Sequence, residues 1–403
     1  MDLYNRIEKY LPFFLPLLLF FSRSIADITV ITISILFLSK CFYDRDFVWL
    51  SISWVKFFII FFLYLLIINT PLSSNSMDSL FYSLGFIRWP LFALAICFWI
   101  FKEGRSLDHF LIGSLLVGLI FLIDLSYQFY LDAGGVFGVS QNIYPGRLSV
   151  PFSDNVFPGR LVIYLWLFIS SILLFKSENK KNILLFFLLT FTTFFLVTIS
   201  GERMVLMIFI SSVLLIEIAM LSKKNLFKII LLNISILILV YFLFISEPQT
   251  SSKISSISQK LLNFWDSDYG VVFVSSYQKW MHNPFFGSGI HQFQSIEPIY
   301  GHGIMGKVKI LHAHNYPLNL LVETGLIGLA LFYAVIFFVI KEVVSKAKSN
   351  LFLMIFLITI IYVSFFPFHS HFKLSHNWIN AIAWFSIGLI FSILNLNEKN
   401  NKN

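Results

Sequence analysis

Residues 301–328 have the sequence GHGIMGKVKILHAHNYPLNLLVETGLIG, in which a polar, histidine-rich segment passes directly into an apolar helix. Asn315 has the residue type of a helix cap, and Pro317 suits the first turn that follows it. No other part of the chain brings so many chemically capable side chains to the edge of an apolar run. We therefore expect a membrane protein whose functional site lies at this boundary.

The composition of the whole chain indicates a polytopic membrane protein. It is 58% hydrophobic and 12% charged, with 49 Phe among 403 residues, whereas soluble domains are about half apolar and about a quarter charged. The net charge of +8 is typical of cytoplasmic loops rich in Lys and Arg, so no nucleic-acid partner is expected. The two cysteines lie in or beside apolar runs and offer no disulfide framework.

Apolar runs of the length that spans a bilayer predict an all-α membrane protein with about twelve transmembrane helices. The first two runs are short and meet at Ser22-Arg23-Ser24, which predicts a tight hairpin. Arg6 and Lys9 precede the first run without a cleavage site, so we expect a retained helix. The predicted spans are 9–22, 25–42, 48–69, 79–101, 108–131, 158–176, 182–199, 203–222, 226–246, 317–340, 350–367 and 378–396.

The distribution of basic residues predicts that both chain ends are cytoplasmic. The segments on that side contain more than half of the 29 Lys and Arg residues, and the external loop 71–77 contains none. Residues 1–246 are then helices 1–9 with short loops, and residues 247–316 form one large external loop between spans nine and ten. Residues 317–403 form helices 10–12 and a cytoplasmic tail.

Three external segments differ from the other loops in length or polarity. They are 132–157, 247–316 and 367–377. Loops as long as the second one usually carry function. Within that loop, apolar residues at helical spacing predict an amphipathic helix over 252–265, and 283–289 form a turn-rich interruption.

Eight of the nine histidines lie at or after His282, and most are interpreted as surface residues. His312 and His314, with His302 nearby, would be the start of a zinc site, but an HxH pair without an external Cys is a weak signal. No metal or other cofactor is therefore expected. His314 is the candidate catalytic residue, because an imidazole with an ordinary pKa near 6.5 can take a proton from a hydroxyl. The alternative is that it only packs against the helix end.

Arg203 is the first of several candidate anion-binding residues. It follows Ser200-Gly-Glu at the predicted start of a helix, where an arginine is costly unless it is paired or reaches the headgroups. One interpretation is an ion pair with Glu202 or another residue. The other is a phosphate site, because a guanidinium fits phosphate oxygens and a helix start adds N–H donors.

Arg88, Arg147 and Arg160 are further external or intramembrane arginines. Arg88 lies within an otherwise apolar span, which makes it a functional-site hypothesis. Asp124 in the fifth span is a possible partner, and that pairing would make Arg88 structural.

Three motifs in register resemble those of the O-antigen ligase and O-antigen polymerase superfamily. Residues 314–328, HNYPLNLLVETGLIG, resemble the pattern HNxxLxxxxExGxxG. Residues 200–203, SGER, resemble the family's short external turn with an essential arginine, and 283–289, NPFFGSG, resemble an NPxxGxG turn in the large periplasmic loop. The similarity covers residues 147–330. Glu323 and Gly325 of the first motif are interpreted as helix packing within the tenth span.

The resemblance implies a metal-independent glycosyl transfer at the periplasmic face of a bacterial inner membrane. The donor would be a saccharide on undecaprenyl diphosphate, and the acceptor a sugar hydroxyl of the lipid A core or another lipid-linked saccharide. His314 would deprotonate the acceptor and Arg203 would hold the diphosphate. Positive charge is needed where the negative charge of the leaving group develops.

One departure from the family pattern concerns a second phosphate ligand. Family members have another arginine in the long loop before the NPxxGxG turn, but residues 247–316 contain no Arg. Lys279 is nearest in position, although a lysine lacks the bidentate fork. Arg147 or Arg160 could take the role instead.

Three alternatives are considered beside the ligase, two of them from other classes of function. The first alternative within the family is a polymerase that joins lipid-linked repeat units. The second, from another class, is a transporter or flippase without chemistry, but transporters carry polar or broken helices near the midplane, and here the polar residues collect in loops. A scaffold subunit of an envelope assembly is the weakest alternative.

Overall fold

The computed structural model describes residues 2–131, 134–137, 147–176, 180–221, 226–246, 263–295, 312–367 and 373–400. The structure of these residues is helical, and none of them forms a β-strand. The predicted amphipathic helix over 252–265 lies outside them, except for 263–265. Phe264 and Trp265 belong to a short 3₁₀ turn, Phe264–Asp266.

Fourteen α-helices are described in these residues. They are α1 Asp2–Phe20, α2 Arg23–Asp44, α3 Ser53–Tyr64, α4 Ser76–Phe86, α5 Arg88–Ala95, α6 Gly104–Leu131, α7 Pro158–Lys176, α8 Lys180–Ile199, α9 Arg203–Met220, α10 Leu226–Ser246, α11 Asp268–Met281, α12 Tyr316–Ala347, α13 Leu351–Phe365 and α14 Asn377–Asn400. Single π-helical turns, Leu65–Asn69 and Ile96–Ile100, continue α3 and α5.

The helix bounds follow the apolar runs closely. The predicted span 158–176 is α7, and 182–199 differs from α8 by two residues at one end. Such runs form helices because a backbone in hydrocarbon must satisfy its own hydrogen bonds. The hairpin between the first two helices is confirmed, since Ser22 caps α2 by accepting the N–H of Ile25 at 3.4 Å.

Eight of the described helices are long and apolar enough to cross a membrane. Three more apolar helical segments are shorter, namely Ser53–Asn69, Ile229–Ile238 and Leu351–Phe365. The chain is therefore an all-helical, multi-pass membrane protein by length and composition. The number of twelve spans and the position of the large loop stay predictions.

The helices form a bundle with two chemically different ends. At one end, contacts join the segments 19–23, 70–79, 147–159, 199–203, 283–295, 312–316, 366–367 and 373–377, and we call this the site end. Its contacts include Ser74 N–H to Ser288 O (3.3 Å), Tyr316 N–H to Pro367 O (2.8 Å) and Trp378 Nε1–H to Leu19 O (2.6 Å). At the other end Lys399 Nζ donates to Lys102 O at 3.5 Å, and Lys346 Nζ donates to Asn395 Oδ1 at 3.3 Å.

Three packing relations position the site. The central helix is α14, and 94% of the residues in its most apolar stretch are buried. Helix α3 packs along α12, and α13 packs against both α9 and α12. The start of α12 lies beside the end of α13, since the N–H of Tyr316 donates to the carbonyl of Pro367.

Candidate functional site

The start of α12 has the geometry that the sequence predicts. Asn315 is the cap, with extended φ and ψ, and its side chain accepts the N–H of Leu318 at 2.9 Å. Pro317 occupies the first turn, where its missing N–H costs nothing. His314 precedes the cap with a φ of +49°. Its ring is partly exposed, and its centre lies 4.1 Å from that of His312.

Helix α12 is interrupted at Gly325, which has φ +68° and ψ −176°. The predicted span over 317–340 lies within Tyr316–Ala347, which is long and apolar enough to cross a membrane, but its backbone is not helical at Gly325. Gly325 packs closely against the backbone of Phe285 and Gly287. A φ in this range suits glycine, and a break at membrane depth leaves backbone groups that need other partners.

The turn 283–289, which contains NPFFGSG, fills the interruption. Gly287 and Gly289 have φ values of +74° and +100°, and the turn accepts and donates backbone hydrogen bonds on both sides of the break. The four bonds are Ser288 N–H to Val322 O (3.1 Å), Gly289 N–H to Glu323 O (2.9 Å), Leu326 N–H to Pro284 O (2.9 Å) and Ile327 N–H to Phe285 O (3.2 Å). The motif is thus a backbone plug for a broken helix.

Two side chains of the α3 segment hold the plug in place. Tyr64 donates its hydroxyl to Thr324 O at 2.7 Å, and Asn69 Nδ2 donates to Phe286 O at 2.7 Å and Glu323 O at 2.9 Å. Asn69 stands in the π-helical turn that ends this helix. Buried carbonyls at the break are thereby satisfied, as buried polar groups generally are.

We expect Gly287→Ala to destabilise the plug and to lower activity. A Cβ at Gly287 would lie 2.5 Å from the Glu323 carbonyl oxygen, closer than real Cβ contacts allow, and its φ of +74° is strained for alanine. The strained φ alone costs about 1–3 kcal/mol. The thermal midpoint of the purified protein in detergent measures the effect.

The matched control is Gly118→Ala in α6, where a Cβ meets nothing within 4 Å. Alanine is the better helix former there by about 1 kcal/mol, so this midpoint should stay constant or rise slightly. A Gly287→Ala protein with the midpoint of the unmodified chain would contradict the role assigned to the plug.

A buried carboxyl lies beside the plug. Glu323 is 1% exposed, and its Oε2 makes no hydrogen bond with the residues that the structure describes. The backbone N–H of His291 donates to the carboxyl group, Asn319 lies beside it, and the charge of Lys373 acts on it. His291 has a φ of +67°, and its ring stacks on Tyr82 at 3.9 Å. Backbone strain of this kind concentrates at functional sites.

Arg203 begins α9 as predicted, and its side chain is partly exposed. The predicted alternative of an ion pair with Glu202 is not what the structure shows. Glu202 points to the start of α7, where its Oε1 accepts the N–H of Gly159 at 2.6 Å. Within the described part of the chain the guanidinium of Arg203 has no ion pair, which leaves it available to an anionic ligand.

Arg160 lies near that carboxyl, and His376 lies near Arg160. Burial raises the pKa of Glu202 to about 7, and the nearby charge of Arg160 opposes the shift. Arg160 is 2% exposed. Burial, and then the charge of Arg160, lower the pKa of His376 to about 3. His376 is therefore neutral at physiological pH and accepts the N–H of Ile379 at its Nδ1 (3.3 Å).

The other predicted anion-binding residues have different surroundings. Arg88 Nε lies 3.1 Å from Asp27 Oδ1, so its partner is Asp27 and not Asp124. Asp124 instead accepts the side-chain amide of Gln128 at 2.7 Å. Lys279 is 4% exposed and donates to a loop carbonyl at 2.8 Å. Arg147 is exposed next to the turn at 200–203, since the following N–H, of residue 148, donates to residue 200 at 3.4 Å.

Arg203 and His314 belong to the same end of the bundle. Ser211 on α9 and Tyr362 on α13 are joined by a hydrogen bond of 2.8 Å. Arg203 is eight residues from Ser211, or about 12 Å along the helix, while α13 ends three residues after Tyr362. Arg203 therefore extends beyond the end of α13, towards the segment whose Pro367 accepts the N–H at the start of α12.

The fold and the site together define a class of protein. It is a membrane protein of many helices, with an imidazole, a buried carboxyl and several cations at one end of the helix bundle. Residues 184–333 match the family model described as O-Antigen ligase. This confirms the resemblance to the O-antigen ligase and polymerase superfamily, whose members are membrane enzymes of polysaccharide assembly. The matched region contains Arg203, the plug and His314. No match to an individual curated protein was found.

Sequence reasoning missed three contributors to the site. Tyr64 and Asn69 lie more than 200 residues before their partners. Their signal was a polar pair at the end of an otherwise apolar span. Lys373 was noted only as part of an external segment. Among the described residues no three potential metal ligands lie together, and His302 lies outside them.

Proposed function

We propose that the protein is an O-antigen ligase-type enzyme. It transfers a saccharide from undecaprenyl diphosphate to a sugar hydroxyl of the lipid A core, at the periplasmic face of the inner membrane. The observation that carries this proposal is the placement of His314 and Arg203 at two helix starts on one end of the bundle, within the region that matches the family. Both are partly exposed, as groups that meet substrate must be.

The proposed chemical step needs one base and one anion site. A ring nitrogen of His314 takes the proton of the acceptor hydroxyl, whose oxygen attacks the anomeric carbon of the donor. The bond from that carbon to the diphosphate oxygen breaks, and its electron pair leaves on undecaprenyl diphosphate. Arg203 binds the leaving group through charged hydrogen bonds, and the N–H groups at the start of α9 point the same way. No metal or cofactor takes part in the proposal.

Membrane attachment supports the mechanism through positioning. The donor is confined to the bilayer by its lipid, so the site has to lie where helices end and headgroups begin. Holding donor and acceptor together at such a boundary replaces a bimolecular encounter by a nearly unimolecular reaction. Arg203, the plug and His314 all lie at helix ends or breaks, which is where this geometry is available.

A transfer assay with purified protein in liposomes tests the proposal. Lipid-linked donor is supplied with lipid A core in one reaction and with a second lipid-linked unit in another. We expect the saccharide on the lipid A core. Product on the lipid-linked unit would instead establish the polymerase alternative. Movement of donor across the bilayer without any product in either reaction would establish a transporter or flippase.

A further inference from the structure

Lys373 lies at the site end, in the segment just before α14. Its backbone is fixed just before α14, because its carbonyl accepts Asn380 Nδ2 and His376 N–H, both at 3.0 Å. Its side chain is partly exposed. A lysine on a fixed backbone presents a charge with three N–H donors at a defined place.

The charge of Lys373 acts on groups from three separate segments. These are Glu323 on α12, His291 after the plug and His376 before α14. The ammonium is therefore near the point where the long loop, the start of α12 and the last external segment meet. Among the residues that the structure describes, no carboxylate lies within ion-pair distance of it.

Three other cations near this point have protein partners. Arg88 pairs with Asp27, Arg160 faces Glu202, and Lys279 donates to the carbonyl of Phe293 at 2.8 Å. Lys279 also lies 4.3 Å above the Phe293 ring. Their charges are engaged in holding the fold together. Lys373 differs from these cations in being partly exposed with no such partner in the described chain.

Glu323 provides the second observation. Its carboxyl is 1% exposed, and Oε2 has no hydrogen-bond partner among the described residues. A buried carboxyl in that state is costly unless a nearby charge compensates it. Lys373 is the cation whose charge acts on it. In the structure the ammonium and the carboxyl attract each other by charge without forming an ion pair.

We propose that Lys373 binds a phosphate group of the lipid diphosphate, with Glu323 as the positioning residue that holds the ammonium towards the site. The proposal rests on the proposed function, because it takes the same donor. A diphosphate offers oxygens on two phosphorus atoms, so Arg203 and Lys373 can each bind one of them. The structure thus assigns the second cation to the segment before α14, and not to the long loop.

The test is binding of undecaprenyl diphosphate without a saccharide, in detergent, to the full-length protein. Lys373→Ala should weaken the Kd by about 10- to 100-fold, as the loss of a charged hydrogen bond implies. Lys373→Arg should restore most of the affinity. Lys373→Gln serves as a second variant if the alanine protein does not fold. Lys399→Ala, at the opposite end of the bundle, is the matched control and should bind normally.

Glu323→Gln should weaken donor binding by a few fold while leaving the KM for the acceptor unchanged. A merely structural role would lower the thermal midpoint and impair both substrates together. Wild-type affinity in both Lys373→Ala and Lys373→Gln would overturn the proposal. Because binding is measured without transfer, failure of the transfer assay with intact, Lys373-dependent binding would disprove the proposed function and leave the phosphate site standing.

Discussion

The protein with His314→Ala is expected to lose transfer activity by a factor of about 10² to 10⁴, the range typical of a general base. Its amount in the membrane should not change, because the side chain is partly exposed at the start of α12 and is not part of the buried core. Binding of undecaprenyl diphosphate should also be retained, since in the proposed mechanism the imidazole acts on the acceptor hydroxyl. The measurements are initial rates of transfer and the Kd for the lipid diphosphate.

The backbone of His314 calls for a second variant. Its φ of +49° is in the left-handed region, which histidine and asparagine tolerate better than alanine. His314→Asn therefore removes the base while keeping the local conformation. His282→Ala, an exposed histidine just before the plug, is the matched control and should transfer normally. Full transfer by His314→Asn would rule out the assigned mechanism.

The second large effect is expected for Arg203→Ala. Loss of a preorganised group at a developing negative charge typically costs about 10² to 10³ in kcat. The donor Kd should weaken as well, because in the proposed mechanism Arg203 binds a charge that the diphosphate already carries in the ground state. Arg203→Lys should recover part of the binding but less of the rate, since lysine cannot form the bidentate contact.

Separate measurement of kcat and donor Kd distinguishes this role from a structural one. The matched control is Arg105→Ala, an exposed arginine at the start of α6 near the opposite end of the bundle. It should leave both quantities unchanged. If Arg203→Ala bound and transferred like the unmodified protein, the leaving-group site would have to be sought elsewhere at the site end.

The helices were predictable because the interactions that form them join residues that are close in sequence. Apolar runs of spanning length must be helical in hydrocarbon, and α7 and α9 begin where charge and glycine interrupt those runs. The cap at Asn315 was predictable for the same reason, since its partner Leu318 is three residues away. The family followed from three short motifs whose order and spacing are visible without a structure.

The break in α12 was not predictable from the same information. Gly325 lies in an apolar run whose pattern predicts an uninterrupted helix. The backbone around it is satisfied by residues about 40 positions earlier and by Tyr64 and Asn69, more than 200 positions earlier. The partner of Arg88 was missed for a similar reason. Asp27 and Asp124 are both single acids in apolar spans, and only packing decides which one faces the arginine.

The plugged helix also has a consequence for biogenesis. The chain emerges from the ribosome in the order α3, turn 283–289, α12. The turn, Tyr64 and Asn69 are therefore synthesised before the helix break at Gly325. Until the plug docks, the backbone groups around Gly325 have no partners, and hydrocarbon cannot supply them. Docking of the turn 283–289 thus becomes a precondition for stable insertion of α12. A chain in which this turn fails to dock would be left with a helix that the membrane does not accept.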